Sequence, residues 1–469
     1  MSVFHAGIER ESIKNILKSG ECHIHFIGIG GVGVYSLARL LAHRGVRVTG
    51  SDAREGDLVR DLKSRGVSVG VPSFETAVLS ADLVVYTLAV SENNTELLLA
   101  RRLGIPSISR AELLGILMLD YSVRIGVSGS HGKSTVTAML DAIWQSAGHK
   151  NTTVIGASLS DLALPLRIGD GETLIYEACE YRDSFLCFSP TAAAYTGTDL
   201  DHTDYFKNRD ALLSSYRKSI EGCPLSILSA EDDGLMKIAR VCKSSVITYG
   251  EKFADVSGEI KPRQRGRYSL KIRHASGVMP EIMLKIPARH NAKNALGAAA
   301  VALSLGISEE VIALALSNFC GIGRRLQYLG LLDASPVYYD YAHHPTEIVS
   351  SISALREAEG LPVTVIFRPH TYSRTRAFLD EFSASLSTAD RVILLEVDPV
   401  REISGKISSH SIADRIGERA TVSTEADAPD LALSSSRSTV VLMGAGEVSA
   451  VLSALQKRIT SDAQKTPLE

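Results

Sequence analysis

Short β-rich runs recur along the chain, separated by longer stretches in which apolar residues return every three or four positions. The runs are His23 to Ile29, Arg47 to Ser51, Leu83 to Thr87, Val123 to Ser128, Thr173 to Glu177 and Ala192 to Thr196. Four more follow near the end: Val337 to Asp340, Val363 to Phe367, Arg391 to Leu395 and Thr439 to Met443. Runs that stay apolar at successive positions suit strands buried on both faces, and the periodic stretches suit crossover helices. The pattern therefore predicts α/β units with parallel sheets. Gly33 to Arg44, Lys133 to about Ala147 and Asn291 to Leu305 carry the clearest helical periods. Residues 251 to 287 differ, because Gly and Pro bound short runs there, which predicts antiparallel strands. Boundaries fall near Arg110, where the turn chemistry of Gly104-Ile105-Pro106 closes the first unit, and within Phe319 to Arg325.

Length agrees with this division. At roughly 150 residues per domain, a chain of 469 residues has room for three. Hydrophobic residues make up 45% and charged residues 22%, the balance of a globular protein. A net charge of −3 provides no basic field for a nucleic-acid backbone or an anionic membrane. The longest apolar runs, such as Ala298 to Leu305, fall short of the ~20 residues that span a bilayer. Met1 to Gly20 mixes charges into a helical pattern and lacks the apolar stretch of a signal peptide. Six cysteines without CxxC pairing argue against a disulfide scaffold and for a cytoplasmic location.

Two glycine-rich turns carry the chemistry. Gly28-Ile29-Gly30-Gly31-Val32-Gly33 fits G-x-G-x-x-G between a strand and a helix, and Asp52 ends the next strand. Glycines there let the backbone approach a pyrophosphate, and the acid can accept from a ribose or base. The motif alone leaves open whether NAD or a UDP-sugar binds. Gly129-Ser130-His131-Gly132-Lys133-Ser134-Thr135 joins another strand to a helix. Its amides can cradle phosphates, Lys133 can reach the β and γ oxygens of ATP, and Ser134 can hold Mg²⁺. It is a shortened phosphate loop, since Val127 stands where the full spacing wants glycine. A hydride-transfer enzyme has no use for a second loop of this kind, whereas a ligase that activates a carboxylate with ATP does. Glu177, at a strand end, suits Mg²⁺, which prefers oxygen ligands. His202, among Asp199, Asp201 and Asp204, is by spacing alone a turn or core histidine.

Together these residues resemble the Mur ligases of bacterial cell-wall synthesis. The resemblance is carried by His25 to Gly31, Gly129 to Thr135, Glu177 to Arg182, Asp201-His202, His290 to Ala295, Gly323-Arg324-Arg325, Asp340 to Glu347 and Pro369 to Thr375. These lie in order over nearly the whole chain, and the two histidines before Pro345 point to the alanine-adding branch. The resemblance implies a Rossmann-like domain for a UDP-linked substrate (1–110), a P-loop-type central ATPase domain (111–323) and a Rossmann-like amino-acid-binding domain (324–469). It implies UDP-N-acetylmuramate and L-alanine as substrates, ATP and Mg²⁺ as cofactors, and peptide-bond formation through an acyl phosphate.

By the same resemblance, Lys133 holds the β and γ phosphates, while Ser134, Glu177 and His202 hold magnesium. His290 and Asn294 contact adenine, and Arg325 and Asp340 serve the phosphates and ribose. Gly28, Gly30, Gly31, Gly33 and Asp52 serve the UDP substrate. His344, Arg374 and Arg376 line the L-alanine pocket, where an arginine fork can grip a carboxylate. His202 and His344 are also the histidines considered for the amine proton. Arg368 departs from the pattern, standing where the family commonly has glutamine. A paralogue with another acceptor and a non-catalytic nucleotide-binding regulator are the rival readings.

Overall fold

The computed structural model describes residues 10–18, 21–159, 161–200, 205–263, 266–399, 407–434 and 437–463. The chain forms two compact units, the first spanning Met1–Glu259, Lys271–Pro280 and Asn294–Leu316, the second Ile260–Leu270, Glu281–Lys293 and Ser317–Glu469. Among the described residues no helix is long and apolar enough to cross a membrane.

The first unit holds two sheets. One is a parallel sheet of five strands, β1 (His23–Ile27), β2 (Arg47–Ser51), β3 (Ser68–Gly70), β4 (Leu83–Tyr86) and β5 (Ser107–Ser109), in the order β3-β2-β1-β4-β5. Alternate residues serve opposite faces. Ile24, Phe26, Leu83 and Val85 join one apolar cluster, while Ile27 and Val84 join another with Val78, Leu97 and Ala100. Both faces are thus covered, as continuous apolar runs require. Two histidines sit inside β1 because each finds partners: His23 bonds Ser80 O at 2.9 Å and Thr49 Oγ1 at 2.8 Å, and His25 bonds Thr49 Oγ1 at 2.9 Å. The strand stops at Ile27, two residues earlier than the apolar run suggested, because Gly28 turns with φ +76°.

The second sheet is built on β6 (Val123–Ser128), flanked by β9 (Thr173–Glu177) and β10 (Ala192–Tyr195). Beyond β9 lie β7 (Thr152–Val154) and β8 (Leu166–Arg167), and beyond β10 lie β11 (Leu225–Ser229), β12 (Ser245–Gly250) and β13 (Val256–Pro262). Val127 pairs in register with Glu177, and Ser128 with Tyr195. The carboxyl ends of β6, β9 and β10 therefore open side by side, where ligands of parallel sheets collect. In the antiparallel stretch, β14 (Tyr268–His274) pairs with β15 (Gly277–Val278) and β16 (Ile282–Met283).

The second unit carries a sheet of six strands, β17 (Gln327–Leu332), β18 (Ser335–Asp340), β19 (Val363–Phe367), β20 (Arg391–Leu394), β21 (Ala420–Val422) and β22 (Thr439–Met443). Their order is β17-β18-β22-β19-β20-β21, parallel except for β17. Its two faces pack separate clusters, one around Val365, Phe367 and Phe382, the other around Ile366, Leu442 and Leu455.

Candidate active site

The loop after β6 is shaped by two glycines at which any side chain would be strained. Gly129 has φ +135°, and a Cβ there would lie 2.0 Å from Thr196 Oγ1. Gly132 has φ +81°, and its Cβ would lie 2.4 Å from Asn294 Oδ1. The backbone can fold this tightly because glycine tolerates left-handed conformations. Helix Lys133–Ser146 starts directly after the turn, so its free N–H groups face the loop's concavity. Ser130 Oγ donates to Asp199 O at 2.7 Å, and the His131 carbonyl accepts from Thr196 Oγ1, which ties the loop to the segment after β10. Thr135 is buried in the first turn.

Side chains at this loop are paired in a specific way. Lys133 Nζ lies 3.1 Å from Glu180 Oε2 and also donates to the Gly129 carbonyl. Glu180 is 2% exposed, so this ion pair is desolvated. Burial opposes the charge on Lys133, but Glu180, Cys179 and Glu177 outweigh it and hold the ammonium above its ordinary range. Ser134 Oγ donates to Glu177 Oε2 at 2.8 Å, and the Gly156 amide donates to the same oxygen at 2.8 Å. A hydroxyl and a carboxylate adjacent at a phosphate loop form a hard oxygen donor set that fits Mg²⁺, with phosphate oxygens and waters to complete it. Among the described residues no three His, Cys, Asp or Glu side chains gather as a metal-ligand group. His202, expected as a ligand, lies outside the described residues, with Asp201, Thr203 and Asp204.

Asn294, expected near adenine, lies against Gly132. His290 occupies the first turn of the same helix, Arg289–Ser304.

The first glycine turn is closed by its own hydrogen bonds. Asp52 Oδ2 accepts from the Gly30 amide at 2.8 Å, and a Cβ on Gly30 would lie 2.9 Å from that oxygen. The amides of Gly28 and Ile29 both donate to Ser51 O, and that of Gly31 to Gly28 O. Gly33 makes room for Arg110, since a Cβ there would lie 2.9 Å from Arg110 Cδ. Arg110 marked only a boundary in the sequence; it opens helix Arg110–Leu117, capped by Ser109 and Glu112.

In the second unit β18 ends at Asp340, buried and accepting from Ser351 Oγ. Burial raises its pKa, against the lowering pull of Arg325. Arg325 Nη1 lies 3.4 Å from Glu347 Oε1, and its guanidinium stands 5.4 Å from the Tyr341 ring centroid. His344 is the N-cap of helix Pro345–Glu359 and accepts from Thr346 N at 3.4 Å, while its ring packs edge-on against Phe378. Its neighbour His343, to which no role was assigned, is the histidine held in place: Nδ1 lies 3.0 Å from Tyr341 O and its amide donates to Glu347 Oε2 at 3.1 Å. Burial pushes the His343 pKa down to about 4, with Glu347 opposing and Arg374 and Arg325 adding to the fall. Arg374 is therefore part of this cluster, whereas Arg376, on the same short helix Tyr372–Ala377, is exposed. Arg368 is no free cation, because Glu425 and the Glu447 carbonyl both accept from it.

All six cysteines are free thiols, and Cys320 is the exposed one. Burial, reinforced by Glu180 and opposed by Lys133, pushes Cys179 up to about 11.

Comparison with known proteins accords with this arrangement. Three family profiles match in order: the Mur ligase family catalytic domain over residues 23–122, the Mur ligase middle domain over 127–302, and the Mur ligase glutamate ligase domain over 324–446. A UDP-N-acetylmuramate–L-alanine ligase of Caldanaerobacter subterraneus subsp. tengcongensis is 37% identical over 402 residues, 84% of this chain and 87% of that protein. One from Agathobacter rectalis is also 37% identical, over 85% of this chain and 88% of its own. Among solved structures, a UDP-N-acetylmuramate–alanine ligase of Thermotoga maritima superposes with a TM-score of 0.81 at 27% identity, covering 95% of this chain and all of that one. With three profiles in register and relatives matched over most of their length, the chain belongs to the Mur ligase family.

Proposed function

We propose that this chain is an ATP-dependent ligase that joins L-alanine to the lactyl carboxylate of UDP-N-acetylmuramate, in the synthesis of peptidoglycan precursors in the cytoplasm. The observation that carries the reading is the loop Gly129–Thr135 with its two pairs, Lys133 against Glu180 and Ser134 against Glu177, set in a chain that matches alanine-adding relatives almost end to end. A lactyl carboxylate oxygen attacks the γ-phosphorus of ATP, and ADP leaves with the electrons of the broken P–O bond. The amine of L-alanine then attacks the acyl carbon, loses a proton and expels inorganic phosphate. Negative charge grows on the phosphoryl oxygens during transfer, and Lys133 together with the loop amides offsets it. Mg²⁺, when bound at Ser134 and Glu177, supplies charge neutralisation and orientation of the phosphates. Arg374, beside the neutral His343 in the second unit, is the cation best suited to the carboxylate of the incoming amino acid.

The test is ADP release with ATP, Mg²⁺ and UDP-N-acetylmuramate, compared across L-alanine, glycine and L-serine. The expected result is release that depends on all three substrates and is fastest with L-alanine. Release with none of the amino acids overturns the reading, and a preference for serine or glycine replaces it with a paralogue of another specificity.

A further inference from the structure

The glycine turn after β1 has used most of its own phosphate-binding capacity. Of its amides, those of Gly28, Ile29, Gly30 and Gly31 already donate to protein acceptors. The amides of Val32 and Gly33 remain, in the first turn of helix Val32–His43, where no intrahelical carbonyl reaches them. Two amides and a helix terminus are a weak match for a diphosphate, whose charge calls for a cation. One lies at that spot. Positions where a Gly33 Cβ would stand are 2.9 Å from Arg110 Cδ and 3.1 Å from both Nε and Nη1, so the guanidinium runs along the open face of Gly33. Arg110 is half-buried, yet among the described residues it has no hydrogen bond or ion pair. The Glu177 carboxylate offsets part of the desolvation that Arg110 suffers, and burial lowers its pKa. A partly desolvated arginine fork without a carboxylate partner is costly unless a ligand supplies the anion.

Resting on the ligase reading, we infer that Arg110 is a substrate-binding residue: with the amides of Val32 and Gly33 it grips the diphosphate of the nucleotide-linked acid. Gly33 is then required by the arginine, which needs its missing side chain, as well as by the turn.

Calorimetric titration of UDP and of UDP-N-acetylmuramate into wild type and Arg110→Met tests this. Both ligands should weaken by about tenfold or more in the variant, the order expected for losing a charge-assisted pair. The KM for ATP should stay unchanged, and the melting temperature should not fall, because no protein partner is lost. Equal UDP binding by the two proteins overturns the inference; weakening confined to UDP-N-acetylmuramate does so too, since it moves the arginine to the lactyl carboxylate. Should Arg110→Met fail to fold, Arg110→Gln carries the same comparison. A wild type that binds neither ligand instead removes the ligase reading itself.

Discussion

At the scale of single residues, Lys133 and Glu180 separate stability from activity. Truncating one partner of a buried ion pair leaves the other uncompensated, at a cost of about 3–5 kcal/mol. Lys133→Met should therefore lower urea-unfolding stability by roughly that order and abolish ADP release. Adding Glu180→Gln should restore most of the stability while turnover stays absent, which separates a phosphate-binding lysine from a structural one. His343 makes a pH prediction. Its folded pKa of about 4 lies below the ordinary value of 6.5. Its stabilisation is thus complete above pH 6.5 and is lost as pH falls toward 4. Stability measured at pH 8 and at pH 4.5 should differ less in His343→Gln than in wild type. The legible residues were those whose chemistry is fixed by local spacing, such as Lys133 and Ser134. Glu180 carries no local signal because its partner Lys133 lies 47 residues away, Arg110 because Gly33 reaches it from another helix, and His343 because its burial is set by the fold rather than by spacing. Asp52 has the position of a motif acid, and its carboxylate also holds the Gly30 amide of the turn, a bond that spacing does not announce.

Elements were legible where burial is two-sided. β2, β6, β9, β19 and β22 lie where their apolar runs begin and end. β3, with only Ser68-Val69-Gly70, and β11, whose five residues include Ser226 and Ser229, have no continuous apolar run to mark them. Their pairing comes from neighbours in the sheet, which local pattern does not encode. The helix that begins at Arg110 offers a test of positioning. Ser109 Oγ accepts from Glu112 N at 3.2 Å and Glu112 accepts from Ser109 N at 2.6 Å, a reciprocal cap. Ser109→Ala should cost about 1 kcal/mol in thermal or urea unfolding. By loosening the first turn it should also raise KM for the UDP substrate more than KM for ATP. Gly132→Ala reports on the other loop. With φ +81° and Asn294 Oδ1 2.4 Å from the added Cβ, the loop must distort. The expected outcome is a rise of about tenfold or more in KM for ATP, with a stability loss of about 1–3 kcal/mol.

For the whole molecule, two compact units with separate apolar clusters predict more than one unfolding step. UDP at 100 times its Kd should stabilise the unit that holds β1 by about 2.7 kcal/mol and leave the transition of the other unit in place, as read by urea titration with ligand. The distribution of thiols has a practical consequence. Alkylating reagents attack thiolates that they can reach, and Cys179 and Cys187, partly covered and each pushed up to about 11, offer little thiolate near neutral pH. Cys320 stands exposed just before β17. Brief maleimide treatment near neutral pH should therefore modify Cys320 ahead of the partly covered Cys242, a first adduct by intact mass that is lost in Cys320→Ser. Cys320 is thus a ready handle for a fluorophore, and with Cys242→Ser as the one supporting change ligand-driven motions can be followed in real time.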